Sequence, residues 1–270
     1  MGKAVFITGG QSNTGFGIAS FFAKQGWDVF ITALDEGEAQ FAANELSSKY
    51  GVFAKGFKCD NCNEEQIINT FKEIDKLGKF VDAVVLNAAD LGCGSDPAKG
   101  IDFFTSPINE FKKVLETNLV GNFMIVREAA LRMKEKGKGS IVFISSNGSL
   151  RPIPNRAAYH TSKGGINAMS KTLAVDLGPY GIRCNTVLPG TIKTKRWESM
   201  GKNQIVNGSM TPLGDISDFE DVANAVWYFA TDMSKNVTGA ELVVDGGMSC
   251  QLYPTLLNEL KAKASQNEAL

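Results

Sequence analysis

Short apolar runs alternate with longer amphipathic segments along the 270-residue chain. Such runs are typical of strands buried on both faces of a parallel sheet, and the amphipathic segments are typical of helices that cover it. The pattern predicts seven strands, at Ala4–Thr8, Asp28–Thr32, Val52–Lys58, Val81–Leu86, Ser140–Ser145, Arg183–Leu188 and Glu241–Val244. It predicts helices near residues 14–25, 36–49, 63–76, 107–135, 156–179 and 218–230.

This alternation predicts an α/β fold, with a doubly wound parallel sheet between two helical layers in a three-layer αβα arrangement. Asp35 followed by Glu38 predicts a capping pair at the start of the second helix.

No repeat or linker interrupts the pattern, so residues 1–270 are interpreted as one domain with a short C-terminal extension, 249–270. Leu256, Leu257 and Leu260 predict a short helix there, which would cover an active-site mouth, form a subunit contact or simply fray.

Composition narrows the class of protein. Hydrophobic residues make up 43% of the chain and charged residues 21%, an ordinary globular mixture. The net charge is −1 without blocks of like charge, which argues against nucleic acid or an anionic membrane as a partner. The apolar run after Met1 is too short for a signal peptide or a membrane span, so a cytoplasmic location is expected.

The five cysteines are odd in number and scattered, which suits reduced thiols rather than a disulfide framework. Cys59 and Cys62 form a single C-x-x-C pair. A metal or redox site would need a second ligand pair or a helix N-terminus beside it, and the sequence offers neither. We therefore expect no metal.

A glycine-rich segment follows the first predicted strand and leads into the first helix, with the sequence Thr8-Gly9-Gly10-Gln11-Ser12-Asn13-Thr14-Gly15. Glycines allow a sharp turn and a close approach of the backbone to a pyrophosphate, whose charge the helix N-terminus stabilises. Because the segment follows the first strand of an alternating α/β chain, it predicts a Rossmann-type dinucleotide site.

The sequence Tyr159-His160-Thr161-Ser162-Lys163 carries the candidate chemistry. Residues four apart share one face of a helix, so the Lys163 ammonium is expected beside the Tyr159 phenol. That charge favours the phenolate and lowers the phenol pKa from its ordinary value near 10, as an acid/base requires. Neighbouring residues point about 100° apart, so His160, the only histidine, is expected to face away and to serve packing or a subunit contact.

Together these motifs resemble those of the classical short-chain dehydrogenase/reductase family. The glycine segment resembles the family pattern T-G-x-x-x-G-x-G with Gly15 as its last glycine, and Asn13 stands at the middle glycine position. Asn adopts left-handed conformations more readily than other non-glycine residues. Gly17 permits a different pairing of the glycines. The resemblance runs from Ala4 to about Met248 and implies a homo-oligomer, commonly a tetramer or else a dimer.

The resemblance also implies a catalytic set. Ser146 lies thirteen residues before Tyr159, the family's spacing for a serine that hydrogen-bonds the substrate oxygen. Asn118, in Thr117-Asn118-Leu119-Val120-Gly121, matches the family asparagine that kinks the long helix and holds a water in a proton relay to the lysine. Lys163 is implied to tune Tyr159 and to bind the cofactor ribose.

The cofactor contacts implied by the resemblance lie in the glycine segment, at the ends of strands and on the catalytic helix. They are Gly9, Gln11, Ser12, Asn13, Gly15, Ala33, Leu34, Asp60, Asn61, Asn87, Ala88, Tyr159, Lys163, Pro189, Gly190, Ile192 and Thr194. In Leu86-Asn87-Ala88-Ala89, only Asn87 and Ala88 retain the family pattern N-N-A-G. Asp245-Gly246-Gly247 is a further family mark with a structural role.

The end of the second strand bears on the choice between NAD and NADP. An acid there would bond the ribose hydroxyls, and a nearby arginine would neutralise a 2′-phosphate. Ala33 and Leu34 occupy these two positions, Asp35 is interpreted as a helix cap, and Ser12 is neutral. With no cation to bind a 2′-phosphate, the sequence favours NAD(H) weakly over NADP(H).

The resulting hypothesis is an oxidoreductase that interconverts a secondary alcohol and a ketone. Substrate contacts are expected from segments 90–107 and 193–212. Their mixture of polar and large apolar residues suits a ring-sized molecule such as a steroid or a sugar or polyol derivative. The residues are Asp96, Lys99, Asp102, Phe103, Phe104, Arg196, Trp197, Met200 and Met210.

Three other classes of protein share parts of this pattern. Enoyl reductases of the family usually place their tyrosine and lysine seven apart, whereas here the spacing is four. Sugar-nucleotide epimerases and dehydratases need a larger C-terminal substrate domain than this chain provides. A non-catalytic NAD(P)-binding sensor of the same fold is the main non-enzyme alternative, and the set Ser146, Tyr159 and Lys163 argues against it.

Overall fold

The computed structural model describes residues 2–92, 103–199 and 208–253. Seven strands form one parallel sheet: β1 Ala4–Thr8, β2 Asp28–Ala33, β3 Ala54–Lys58, β4 Ala83–Leu86, β5 Gly139–Ile144, β6 Ile182–Pro189 and β7 Glu241–Val244. The strand order is β3-β2-β1-β4-β5-β6-β7. The predicted doubly wound, Rossmann-type sheet is confirmed. The order reverses between β1 and β4, where such folds form a crevice at the carboxyl ends of the strands.

The helices are α1 Asn13–Lys24, α2 Glu36–Tyr50, α3 Glu64–Lys76, α4 Ile108–Leu115, α5 Gly121–Lys136, α6 Ala157–Leu177, α7 Lys195–Ser199 and α8 Phe219–Ala230. A π-helical turn at Glu116–Val120 joins α4 to α5. The segment predicted as one helix near 107–135 is therefore two α-helices separated by a wider turn. Such π turns occur frequently at functional sites.

Two apolar layers hold the helices against the two faces of the sheet. Phe6 of β1 packs into one layer with Phe71 of α3, while its neighbour Ile7 packs into the other with Phe22 of α1. Successive strand residues point to opposite faces, so a strand covered on both sides is apolar at most positions. Burial of each such side chain stabilises the fold by about 1.5–3 kcal/mol.

Helix caps fix where two of the helices begin. The Asp35 carboxylate accepts a hydrogen bond from the Glu38 backbone N–H at 2.9 Å, so the predicted cap of α2 is confirmed. At α8, Asp218 and Asp221 form a complete capping box that the sequence analysis did not single out. No helix in the described part of the chain has the length and apolar character needed to cross a membrane.

The predicted terminal helix, with Leu256, Leu257 and Leu260, lies outside the described residues.

Candidate active site

A cavity of about 1270 Å³ opens at the carboxyl ends of the central strands. It is larger than a typical small-molecule pocket of about 300–1,000 Å³. Every residue predicted to contact the cofactor lines it, from Gly9 and its neighbours to Thr194. Of the four predicted catalytic residues, Ser146, Tyr159 and Lys163 line the cavity, whereas Asn118 is buried behind its wall.

The glycine segment packs closely on itself and lines the cavity. A Cβ atom on Gly15 would lie 2.1 Å from the Gly9 carbonyl oxygen, so no larger residue fits there without movement. Asn87 ties the end of β4 to this segment, since its Nδ2 donates to the carbonyl oxygens of Thr8 and Gly9 at 3.1 and 3.2 Å. Asn13 has a φ of 48°, the left-handed conformation for which asparagine is suited.

The N-terminus of α1 is open toward an anion. Its N-cap residue, Ser12, makes no side-chain hydrogen bond to the helix, and the first turn carries no acid. The helix dipole and the backbone N–H groups are therefore left to stabilise negative charge in the cavity, as a dinucleotide pyrophosphate requires. These features fit the predicted cofactor.

Gly17 has a packing role instead. A Cβ atom there would lie 2.5 Å from Cβ of Phe219, the first residue of α8, and Gly17 does not line the cavity. The alternative in which Gly17 pairs with the loop glycines at the cofactor is not favoured by this placement.

The cavity wall formed by Ala33, Leu34 and Asp60 is the predicted adenosine end. The Leu34 side chain is 70% exposed. The neighbouring Asp35 carboxylate is engaged by the Glu38 backbone, as its interpretation as a cap requires. Among the described residues, the cations lining the cavity are Lys113, Arg151, Arg156 and Lys163, and none belongs to this wall.

The first turns of α6 present one continuous face to the cavity, formed by Arg156, Tyr159, His160 and Lys163. These residues follow the spacing i, i+3, i+4 and i+7, which defines one side of a helix. Lys163 Nζ lies 5.6 Å from the centre of the Tyr159 ring and donates to the Ile144 carbonyl oxygen at 2.7 Å. Burial lowers the pKa of Lys163 to about 8.

The pKa of the Tyr159 phenol differs from the prediction. Its pKa is raised above the ordinary value, because burial disfavours the phenolate more than a hydrogen bond with Ser146 and the positive charge of Arg156 favour it. The prediction that the tyrosine pKa is lowered is therefore wrong for the chain alone. Ser146 is itself held in place, since its Oγ accepts a hydrogen bond from the Gly148 N–H at 3.0 Å.

The position of His160 also differs from the prediction. Helical geometry predicts that it faces away from Tyr159, but His160 lines the same cavity, with the two ring centres 5.6 Å apart. A Cβ atom on Gly148 would lie 2.7 Å from His160 Nε2, so the ring packs closely on the turn after β5. The cavity wraps around the first turn of α6, which is why a 100° rotation does not remove His160 from it. Burial, followed by the charge of Arg156, lowers the pKa of His160.

Asn118 lies within the π-helical turn and is fully buried. Its Oδ1 accepts from the Asp90 N–H at 2.7 Å, and its Nδ2 donates to the Asp90 carbonyl oxygen and to Ser162 Oγ, both at 2.9 Å. Ser162 in turn donates to the Tyr159 carbonyl oxygen at 2.7 Å. Asn118 therefore connects the segment after β4 to α6 from behind the cavity wall.

Arg156 and Arg151 line the cavity but were not predicted as site residues. The guanidinium carbon of Arg156 lies 5.1 Å from the centre of the Tyr159 ring, and Arg151 lines the cavity on the turn after Ser146. The helical spacing of three between Arg156 and Tyr159 is a signal that could have identified the first of them.

The predicted substrate segments are described in part. Trp197 and Met210 line the cavity, while Phe103 and Phe104 are exposed on a short 3₁₀ turn. Asp96, Lys99, Asp102, Met200 and the side chain of Arg196 lie outside the described residues.

Cys59, Cys62, Cys184 and Cys250 are free thiols. Burial raises the pKa of Cys59 to about 11, and Cys62 Sγ lies 3.3 Å from Thr117 Oγ1. The C-x-x-C pair is thus not a disulfide, and the described ranges contain no group of three residues suited to hold a metal.

The fold and this cavity define the class of protein: a Rossmann-type dinucleotide-binding protein with a tyrosine and a lysine in the wall of its cavity. A family model described as Enoyl-(Acyl carrier protein) reductase matches residues 9–249. The L-rhamnose 1-dehydrogenase (NAD(P)(+)) of Sphingomonas sp. strain SKA58 is 33% identical, over 93% of this chain and 98% of that protein.

Two further proteins are similar over most of their length. The NADP-dependent (R)-specific alcohol dehydrogenase of Lentilactobacillus kefiri is 35% identical, over 93% of this chain and 98% of that protein. The crystal structure of an NAD⁺-bound xylitol dehydrogenase superposes with a TM-score of 0.82 at 26% identity, covering 91% of this chain and 98% of that one. The chain belongs to the short-chain dehydrogenase/reductase family and is an oxidoreductase that acts on CH–OH groups.

Proposed function

We propose that the protein interconverts a secondary alcohol and a ketone, with Tyr159 as the acid/base, Ser146 as the hydrogen-bond partner of the substrate oxygen and Lys163 as the positive charge beside them. The observation that carries this proposal is the convergence of these three side chains on one cavity wall, next to a glycine segment that fits a dinucleotide. A bound nicotinamide supplies the hydride donor or acceptor.

Each side chain has a distinct task in this proposal. The Tyr159 hydroxyl gives its proton to the carbonyl oxygen in reduction and takes it back in oxidation. Ser146 donates a hydrogen bond to the same oxygen and stabilises the charge that develops there. The pKa of Tyr159 is raised in the chain alone despite the charge of Arg156, so further lowering is left to the positive charge of the oxidised cofactor. Asn118 supports the relay by fixing Asp90 and Ser162.

We propose NAD(H) as the preferred cofactor. The support is the adenosine end of the cavity, where Ala33, Leu34 and Asp60 offer no cation to a 2′-phosphate. A 2′-phosphate without a charge-assisted partner loses much of its binding energy.

For the substrate, we propose a sugar or polyol derivative rather than a hydroxysteroid. The names of two similar proteins, an L-rhamnose dehydrogenase and a xylitol dehydrogenase, support this class. The spacing of four between Tyr159 and Lys163 supports CH–OH chemistry over enoyl reduction, despite the description of the matching family model.

Replacement of Tyr159 tests the proposal and the sensor alternative together. Wild type, Tyr159→Phe and, as a control, Tyr180→Phe would be screened with alditols, aldoses and hydroxysteroids, using NAD⁺ and NADP⁺ in parallel. We expect Tyr159→Phe to lower kcat by a factor of about 100 or more while NADH still binds. Tyr180 is an exposed residue on the turn after α6, so its variant should retain full activity.

Near-normal turnover by Tyr159→Phe would refute the mechanism. Binding of NADH without turnover of any member of the panel would favour the sensor. A higher kcat/KM with NADP⁺ than with NAD⁺ would refute the cofactor preference.

A further inference from the structure

His160 has no task in the proposed chemistry, although it lines the same cavity as Ser146, Tyr159 and Lys163. Its ring is half-buried, and the ring centre lies 5.6 Å from that of Tyr159. Within the described ranges, neither ring nitrogen of His160 forms a hydrogen bond with another residue. The imidazole therefore keeps its hydrogen-bonding capacity for a ligand of the cavity.

The turn after β5 fixes the position of this ring. A Cβ atom on Gly148 would lie 2.7 Å from His160 Nε2 and 2.8 Å from its Cδ2, so a side chain there would displace the imidazole. Gly148 does not have a positive φ, so what the glycine provides at this position is room for the ring. The same turn holds Ser146, whose Oγ accepts a hydrogen bond from the Gly148 N–H at 3.0 Å. One turn thus sets the positions of Ser146 and His160 together.

The imidazole lies close to the place proposed for the reacting oxygen. A Cβ atom on Gly148 would be 2.7 Å from His160 Nε2 and 3.3 Å from Ser146 Oγ, so these two atoms are at most about 6 Å apart. A ketone oxygen has two lone pairs, and the proposed mechanism assigns them to Ser146 and Tyr159. His160 therefore needs a second oxygen. Two oxygens on neighbouring carbons span a gap of this size, with a hydrogen bond of about 2.5–3.2 Å to each residue.

The protonation state of His160 indicates the kind of group that carries this second oxygen. Burial, followed by the charge of Arg156, lowers the pKa of His160 from 6.5, so the ring is neutral at pH 7 and above. A neutral imidazole has one N–H donor and one acceptor nitrogen. A hydroxyl group can use either of them, whereas a carboxylate could use only the donor and would find no positive charge on the ring.

We infer that His160 hydrogen-bonds a second hydroxyl group of the substrate, on the carbon next to the one that reacts. The inference rests on the proposed function, which it narrows from sugar or polyol derivatives in general to those with a hydroxyl beside the reacting carbon. His160 is then a residue that determines specificity. A substrate without this hydroxyl would desolvate the imidazole and leave it unpaired.

Matched pairs of substrates, which differ only in this hydroxyl, test the inference. The pairs are 2,3-butanediol and 2-butanol, trans-1,2-cyclohexanediol and cyclohexanol, and L-rhamnose and 2-deoxy-L-rhamnose, with all stereoisomers of the first two pairs. Oxidation of each compound would be followed with NAD⁺ and with NADP⁺. In every pair that reacts, we expect kcat/KM to be at least about tenfold higher for the member with the second hydroxyl, because the other member leaves the imidazole unpaired.

Three variants locate the effect. His160→Leu and His160→Gln are similar in size, but only glutamine retains a donor and an acceptor. His160→Leu should reduce the preference to about twofold or less, mainly by raising KM for the member with the second hydroxyl, and His160→Gln should restore part of it. Thr161→Val removes the polar group of the next residue, which is exposed and does not line the cavity, and should leave the preference intact. Circular dichroism would verify that the variants are folded.

Several results would overturn the inference while the proposed function stands. These are turnover without a preference within the pairs, a preference that His160→Leu retains, or a fall in kcat that is equal for both members of a pair in His160→Leu. The last result would assign His160 a merely structural role. Failure of the proposed function is a separate result: no turnover of any member by the wild type with either cofactor, which would remove the basis of the inference as well.

Discussion

The ammonium group of Lys163 is buried at a cost that a pH series of stability measurements can reveal. The residue is 3% exposed, and burial lowers its pKa from 10.5 to about 8. The unfolded chain therefore binds this proton more tightly than the folded one. The difference between the two pKa values corresponds to about 3 kcal/mol of the free energy of unfolding.

The sign of the effect follows from proton binding. Above pH 10.5 the amine is neutral in both states, and its burial carries no charge penalty. As the pH falls from 10.5 toward 8, the unfolded chain takes up the proton and the folded chain does not, so stability falls. Below pH 8 both states are protonated, and the full penalty of about 3 kcal/mol remains.

Lys163→Met removes the charge while keeping an unbranched side chain. Tyr159→Phe serves as the parent, so that titration of the phenol does not contribute. Urea unfolding of parent and double variant at pH 7 and pH 10.5 gives the free energies of unfolding. At each pH, the free energy of unfolding of the parent is subtracted from that of the double variant. We expect this difference to be about 3 kcal/mol more favourable to the double variant at pH 7 than at pH 10.5.

The hydrogen bond from Lys163 to the Ile144 carbonyl oxygen is lost at both pH values, and the part of its strength that depends on protonation is already contained in the pKa shift. Lys112→Met, which removes an exposed lysine of α4, should show no such dependence on pH. If the effect of Lys163→Met is the same at both pH values, the ammonium is not desolvated and the reasoning fails.

Two further predictions concern the residues that shape the site. Gly15→Ala should lower stability by about 1–3 kcal/mol, because the new Cβ would lie 2.1 Å from the Gly9 carbonyl oxygen. Gly164→Ala, where a Cβ meets nothing within 4 Å, should raise it by up to about 1 kcal/mol, and thermal unfolding of both checks the contrast. Asn118→Ala should cost about 2–5 kcal/mol in urea unfolding, because it leaves Asp90 and Ser162 without three hydrogen bonds. A loss below about 1 kcal/mol would mean that water replaces those bonds.

The sheet could be predicted from the sequence because its signal is local. Strands covered on both faces are apolar at most positions, so β1 and β4 appear as nearly uninterrupted apolar runs, and the structure shifts the bounds of the predicted strands by no more than two residues. The caps of helices carry a similar local signal, as Asp35 illustrates. The spacing of Ser146, Tyr159 and Lys163 also predicted that these residues lie together, and all three line one cavity.

Other features depend on tertiary contacts that a local pattern does not contain. The π-helical turn accompanies the hydrogen bonds of Asn118 to Asp90, a residue 28 positions away in the chain. His160 lines the cavity because the wall wraps around the first turn of α6, which helical geometry alone does not indicate. The pKa of Tyr159 rises because of burial by the whole fold, an effect that pairwise spacing with Lys163 could not predict.

The face of α6 around Tyr159 carries three basic side chains, Arg156, His160 and Lys163. Burial lowers the pKa of both His160 and Lys163, so each gives up its proton more readily than it would in water. An arginine cannot lose its charge in this way, because its guanidinium stays protonated in proteins. The charge at Arg156 therefore persists across the working pH range, beside a phenol whose proton is to be transferred. Because Arg156 stays charged, its contribution to lowering the pKa of Tyr159 is present at every working pH.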